Sequence, residues 1–156
     1  MTETAAAVID RYITLVERMA HDPAPLEDIL ALFGPDATVQ LHEDQQPLAG
    51  IPALRELYAG IAKGVADSKT VWSTTVLDDG RIELRWLYVA RGDDDRLTAL
   101  SGIEYATLDA YGLITNLRNR MVTPDSRPCP GQYARARAFT TKLKMEELQC
   151  PRRPPQ

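Results

Sequence analysis

Cysteine and histidine are scarce in this chain: Cys129, Cys150, His21 and His42 are all it has. The cysteines have no metal-type spacing and no histidine beside them, so two free thiols are expected rather than a zinc site or a disulfide. A glycine-rich phosphate loop, His-Glu-x-x-His, Cys-x-x-Cys and Gly-x-Ser-x-Gly are all missing. Nucleotide, metal and serine-hydrolase chemistry therefore have no motif to rest on, and neither a cofactor nor a metal is expected. No apolar run approaches the roughly 18 residues of a membrane helix. The N-terminus has no basic segment followed by an apolar one, so the expected location is the cytoplasm, with no membrane partner.

Positive charge is also short. The net charge of −4 gives no general attraction for nucleic acid, and none is expected as a partner. The deficit is uneven: Pro124 to Gln156 carries seven Lys or Arg against three Asp or Glu, which leaves −8 on the rest. This basic, proline-rich stretch reads as an extension, 124–156, holding one helix over Tyr133 to Leu148. Of the 156 residues, 44% are hydrophobic and 26% charged. That composition fits one globular domain over 1–123 with a real core.

Periodicity predicts the elements. Val8, Ile9, Tyr12, Ile13, Val16 and Met19 recur at helical spacing over Ala5 to Ala20, with Thr4 as N-cap. A second helix is expected over Leu26 to Phe33, ended by Gly34 and Pro35. Asp36 to His42 alternates as a strand, Ala37, Val39 and Leu41 on one side and Thr38, Gln40 and His42 on the other. This strand is expected to be central to the fold. From Ile51 the period turns helical again through Leu54, Leu57, Tyr58 and Ile61, with Pro52 in the first turn. Four strands follow, Lys69 to Leu77, Arg81 to Arg91, Arg96 to Leu108 and Leu113 to Val122, joined by short polar turns in an antiparallel meander. Helices first and a meander after them give an α+β fold: a curved antiparallel sheet packed against three N-terminal helices, forming a cone with an apolar cavity.

Few residues in this pattern carry chemistry. Glu104 falls mid-strand on the face of Thr98, Leu100 and Gly102, with Trp86 and Tyr88 on the neighbouring strand's matching face. A carboxyl there is poorly solvated, is kept protonated, and can donate a hydrogen bond or a proton near neutral pH. A one-residue error in face would instead turn it to water or to a partner subunit. Tyr12 offers a phenol from the inner face of the first helix, and Tyr58 another from the third. Asn119 shares a face with Leu117 and Met121 and needs a partner or a ligand for its amide. His42 ends the central strand and is the natural titrating group at neutral pH, although it faces away if Val39 and Leu41 face inward.

Arg-Tyr-Ile-Thr-Leu-Val-Glu from Arg11, Asp-Ala-Thr-Val from Asp36, Gly50 with Ala53-Leu54 through Tyr58, and the turn Asp109 to Gly112 occur in an order that resembles the nuclear transport factor 2-like (NTF2-like) superfamily. Within it the resemblance is to ketosteroid isomerase and the SnoaL-like polyketide cyclases, over roughly Ala5 to Val122. In that isomerase an aspartate base moves a proton while a tyrosine and a protonated aspartate hold the substrate oxygen. The resemblance places Tyr12 on the oxyanion tyrosine, Glu104 on the protonated aspartate and Tyr58 on a tyrosine bonded to the first. Phe33 stands where another member of that network would be. Leu41 stands at the catalytic base, and a leucine abstracts no proton; His42 or Glu43 could do so only after a one-residue shift in register.

The expected function is therefore acid catalysis on a small hydrophobic, oxygen-bearing substrate: epoxide opening, ring closure of a polyketide or terpenoid, or double-bond isomerisation. Tyr12 and Glu104 form the acid pair, and Phe33, Leu41, Tyr58, Trp86, Tyr88, Leu100, Asn119 and Met121 line the site. A non-catalytic ligand-binding protein is the alternative. A scaffold used only for self-association has less to recommend it, since it does not need Glu104, Tyr12 and Asn119 turned inward. The resemblance also implies a homodimer through the outer sheet face, along Arg85, Leu87, Val89, Arg118 and Arg120.

Overall fold

The first helix forms where a cap and an apolar stripe coincide. The Ala7 N–H donates to the Thr4 side chain at 3.3 Å, and α1 (Ala5–Met19) buries Val8, Ile9, Tyr12, Ile13, Leu15 and Met19. The computed structural model describes residues 4–63 and 67–122. The chain divides into the units Met1–Thr123 and Pro124–Gln156. The expected helix Tyr133 to Leu148, the rest of the extension and both cysteines lie outside the described residues.

The second helix is shorter than its apolar spacing predicts. α2 (Leu26–Leu30) stops three residues before Phe33, which instead opens β1 (Phe33–Gln40). The Ile114 N–H donates to the Leu32 carbonyl at 2.8 Å, so the chain is already committed to the sheet at Leu32. Apolar spacing alone could not distinguish a buried helix turn from a buried strand start. Pro35, which has no N–H, falls where the pairing of β1 with β6 (Ile114–Met121) is interrupted, between Phe33 and Thr38.

A two-residue strand, β2 (Leu48–Ala49), pairs antiparallel with β1. The chain then turns at Gly50, whose φ of 83° opens α3 (Ile51–Ile61) with Pro52 in its first turn. α3 buries Leu54 and Tyr58. Next come β3 (Ser68–Val76), β4 (Ile82–Arg91) and β5 (Leu97–Leu108), which form with β6 the antiparallel meander that the turn signals predict.

The sheet order is β2-β1-β6-β5-β4-β3, and β1 runs parallel to β6. The sheet is therefore mixed rather than wholly antiparallel, and the strand expected at its centre lies next to an edge. The meander leaves β6 as its open edge; β1 closes it and carries Ala37 and Val39 into the same core as Ile114 and Leu117. The three helices and the curved sheet make an α+β unit with a single core cluster between them. No helix among the described residues is long and apolar enough to cross a membrane.

The expected inner face of β5 holds only from Gly102 onward. Thr98 is exposed and Leu100 is 45% exposed. The core cluster holds Ala106 on β5 and reaches out to Trp86 on β4 as a flanking contact, so the hairpin end around Arg91 and Leu97 runs past it. Alternation identifies a face but does not say where the cover over it stops.

Candidate functional site

Strand register sets the site. Two rows of side chains cross the inner face of the meander: Thr74, Leu84, Glu104 and Asn119 in one, Trp72, Trp86, Gly102 and Met121 in the next. Glu104 thus sits between Leu84 and Asn119, and only 7% of it is exposed. Its Oε2 is buried with no hydrogen-bond partner among the described residues. Burial pushes its carboxyl up to about 8, because a charge there would have little solvent and no compensating bond.

α1 and α3 bring two phenols under the influence of this carboxyl, and Phe33 packs against both. Tyr12 from α1, Tyr58 from α3 and Phe33 from the start of β1 pack together: the Tyr12 ring meets Phe33 at 5.9 Å and Tyr58 at 6.1 Å, both edge-on. Phe33 and Tyr58 are 5.7 Å apart. The Tyr58 hydroxyl donates to the Tyr12 hydroxyl at 3.0 Å. Burial drives both phenols above their ordinary range, and the charge of Glu104 adds to this in each, so the three groups are electrostatically coupled. Because Tyr58 supplies a proton to the Tyr12 oxygen, Tyr12 keeps its own proton for another acceptor.

Asn119, flagged by its apolar neighbours, is bonded to protein at both ends of its amide. Its Oδ1 accepts from the Trp86 indole N–H at 3.0 Å, and its Nδ2 donates to the Leu41 carbonyl at 2.9 Å and meets the Met121 sulfur at 3.3 Å. Glycine at 102 permits this. A Cβ there would meet the Trp86 ring at 2.6 Å and Asn119 Oδ1 at 2.8 Å, so the indole lies directly over the Gly102 backbone.

The other expected residues divide. Leu41 is half-buried against the core, a hydrocarbon where the resemblance placed a base. Trp86 and Met121 are half-buried in the row beside Glu104. Tyr88 is half-buried one row further out, opposite exposed Leu100. Leu100, expected to line the site, shares the face of Glu104 but lies two rows away and is 45% exposed. His42 is exposed in the turn after β1.

Sequence reasoning missed Asp10. Its Oδ1 accepts from the Thr74 hydroxyl at 2.6 Å and from the Trp72 indole at 3.2 Å, tying α1 to β3 beside the site. Glu17 repeats the tie two turns on, with Lys69 at 2.7 Å. The signal was an acidic stripe flanking the apolar one on α1, which by itself reads as a solvated face. Among the described residues, no group of three or more His, Cys, Asp or Glu could hold a metal ion.

Comparison with family models gives no match, and comparison with curated proteins gives none. Solved structures do resemble the chain. One is an NTF2-like protein of unknown function from Exiguobacterium sp. 255-15, with a TM-score of 0.64 and 25% identity, covering 74% of this chain and 98% of that one. Another is SalBIII, described as an epoxide hydrolase/cyclase-like enzyme in pyran ring formation in the polyether salinomycin. Its TM-score is 0.63 at 15% identity, covering 76% of this chain and 90% of that one. On this architecture and these likenesses, the chain has the NTF2-like fold.

Proposed function

We propose that the chain is an isomerase or cyclase acting on a small, hydrophobic, oxygen-bearing molecule of steroid, polyketide or terpenoid type. Glu104 is its general acid and Tyr12 the hydrogen-bond donor to the reacting oxygen. The observation that carries this reading is the buried Glu104 Oε2 with no hydrogen-bond partner among the described residues, on a carboxyl whose charge would push up the buried phenols of Tyr12 and Tyr58. A native fold rarely leaves such an atom unsatisfied without a functional reason. With its carboxyl raised to about 8, Glu104 holds a proton at neutral pH.

The chemistry must suit a site with Leu41 where a base would stand. Removing a proton from carbon needs that base, and ring closure does not. When a substrate hydroxyl attacks an epoxide carbon of the same molecule, the new C–O bond forms as the epoxide C–O bond breaks. The released oxygen takes its electron pair and the proton of Glu104. The attacking oxygen, now an acidic oxonium, gives its own proton to the Glu104 carboxylate. Product and substrate are isomers, and the acid is restored. Tyr12 would stabilise charge on the departing oxygen, a contribution of about 3 kcal/mol per well-placed donor. The fold is shared with SalBIII, described as an epoxide hydrolase/cyclase-like enzyme, so this class of reaction has a precedent on the scaffold. Attack by water instead gives the epoxide-hydrolase version of the same chemistry.

A second reading, ligand binding without turnover, is favoured by the hydrocarbon at Leu41 and the exposure of His42. Mass spectrometry of whatever copurifies, before and after incubation of that compound with fresh protein, separates the two. An enzyme changes the compound, and E104Q and Y12F slow the change by about a hundredfold or more. A carrier returns it intact. We further propose a homodimer through the outer sheet face, where Ile103 is flanked in register by Arg85 and Arg120. Light scattering giving a monomer removes that proposal.

A further inference from the structure

We infer that Trp86, latched by Asn119 across Gly102, is the wall that keeps water from the Glu104 carboxyl, which makes Asn119 a positioning residue. The inference deepens the reading of Glu104 as the acid and rests on it.

The geometry is a diagonal bar across three strands. Trp86 starts on β4, directly opposite Gly102 on β5, and its indole N–H ends on the Asn119 oxygen on β6. Asn119 is the cross-strand partner of Glu104. The bar therefore passes over β5 two residues from Glu104, on the same face, and finishes beside it; side chains directly opposite in such a pair lie about 5 Å apart at Cβ. On the far side of this bar lies the row of Tyr88 and Leu100, where exposure rises to 45% at Leu100. On the near side Glu104 is 7% exposed. Along β5 the fall in exposure coincides with the indole, while on β3 and β4 Thr70 and Ala90 stay buried beyond it.

Each end of the bar is built for it. Gly102 is buried and leaves no room for a Cβ, which would meet the ring at 2.6 Å. Asn119 has its oxygen on the Trp86 indole and its NH2 on the Leu41 carbonyl and the Met121 sulfur, so both of its donors and one of the two acceptor positions on its oxygen are committed to holding this arrangement. The groups facing Glu104 from the packed elements are Tyr12 of α1, Tyr58 of α3, Leu84 of β4 and Asn119 of β6, none of them charged at neutral pH. With burial as the one cause acting on its carboxyl, the wall that provides burial governs its proton.

The test follows the titration of Glu104 itself, in full-length protein labelled with 13C at glutamate carboxyls, its signal assigned by loss in E104Q. N119L deprives the indole of its acceptor, and G102A, whose Cβ would meet both the Trp86 ring and Asn119 Oδ1, displaces the latch while keeping both of its polar partners in the sequence. Both are expected to lower the Glu104 midpoint by about one pH unit or more, with the Trp86 indole N–H signal shifted and exchanging faster. W86F combined with N119L replaces both latch partners by apolar groups and should move the midpoint back up from its N119L value. If G102A and N119L release the indole and the Glu104 midpoint stays at its wild-type value, the inference is overturned. If N119L does not fold, G102A decides by the same readout; if G102A also fails, W86F alone decides, a lowered midpoint upholding the wall because Asn119 Oδ1 loses its indole donor and opens to water, and a wild-type midpoint overturning it. The result does not depend on turnover. An unchanged midpoint in these variants rejects the wall even if E104Q abolishes activity, and a lowered midpoint upholds it even if the protein is a carrier.

Discussion

The Tyr58 hydroxyl donates to the Tyr12 hydroxyl at 3.0 Å, joining α3 to α1 across 46 residues of sequence. Removing the donor by Y58F leaves a buried Tyr12 oxygen without its partner, while removing the acceptor by Y12F leaves a buried Tyr58 proton. Each variant is expected to lose about 1–2 kcal/mol in urea unfolding, and the double variant clearly less than the sum of the two. Additive losses would mean that the two hydroxyls do not act on each other.

The same pair resists ionisation. Of six tyrosines, Tyr12 and Tyr58 are held above the usual 10.0, chiefly by burial. The folded state therefore keeps protons there that the unfolded state releases, and stability falls as pH rises past about 10. Ultraviolet titration is expected to leave two tyrosines neutral until alkaline unfolding exposes them. Smooth ionisation of every tyrosine in the folded protein would contradict the placement of both rings.

Glu104 gives a second pH dependence, in a lower window. Its carboxyl rises from 4.5 in the unfolded chain to about 8 when folded. The folded state binds the extra proton, so the stability linked to this group is complete below about 4.5 and is lost as pH rises toward 8. E104Q imitates the protonated acid without titrating. It should match the wild type near pH 5 and be the more stable protein at pH 8.5, measured by urea unfolding at both. Equal stability at pH 8.5 would indicate an ordinary, solvated carboxylate.

What could be read from the sequence follows how local the cause was. The stripe of Val8, Ile9, Tyr12 and Ile13, and the alternation that put Glu104 with Gly102, needed only the period of the chain, and both fall where expected. Phe33 was misplaced because a helix end and a buried strand start share an apolar look, and the deciding bond comes from Ile114, far along the chain. Leu100 has the expected face, but its 45% exposure depends on how far the helices reach over the sheet, which alternation along one strand does not carry. Gly102 was legible only as a position on the face of Glu104. Its reason, an indole from β4 lying over it, exists only once three strands are aligned.

Gly50 carries a backbone requirement that can be isolated. Its φ of 83° and ψ of 154° belong to a region almost closed to other residues, and its N–H donates to the Ala37 carbonyl at 3.0 Å as β2 passes into α3. An added Cβ would find only ordinary contacts, 3.8 Å to the Pro35 carbonyl oxygen and 3.9 Å to Pro52. The cost of G50A is then conformational and not steric, about 1–3 kcal/mol by thermal or urea unfolding. A neutral G50A would show that the turn relaxes to a conformation open to alanine.

Asp10 is the strongest tie between α1 and the edge strand β3, and it lies two residues from Tyr12. One carboxylate oxygen accepts from both the Thr74 hydroxyl at 2.6 Å and the Trp72 indole at 3.2 Å. Bonds to a charged acceptor are worth more than neutral ones, so D10A should cost about 2–3 kcal/mol, whereas D10N, which keeps an acceptor oxygen, should cost about 1 kcal/mol. Trp72 and Trp86 are the only tryptophans, so in W86F the remaining indole fluorescence reports Trp72 alone. In that background D10A is expected to red-shift the emission as the indole N–H loses its acceptor and meets water, and D10N to leave most of the signal in place. If D10A changes neither the emission nor the unfolding midpoint, α1 is held by its apolar stripe and the Glu17–Lys69 pair, and the placement of Tyr12 owes nothing to Asp10.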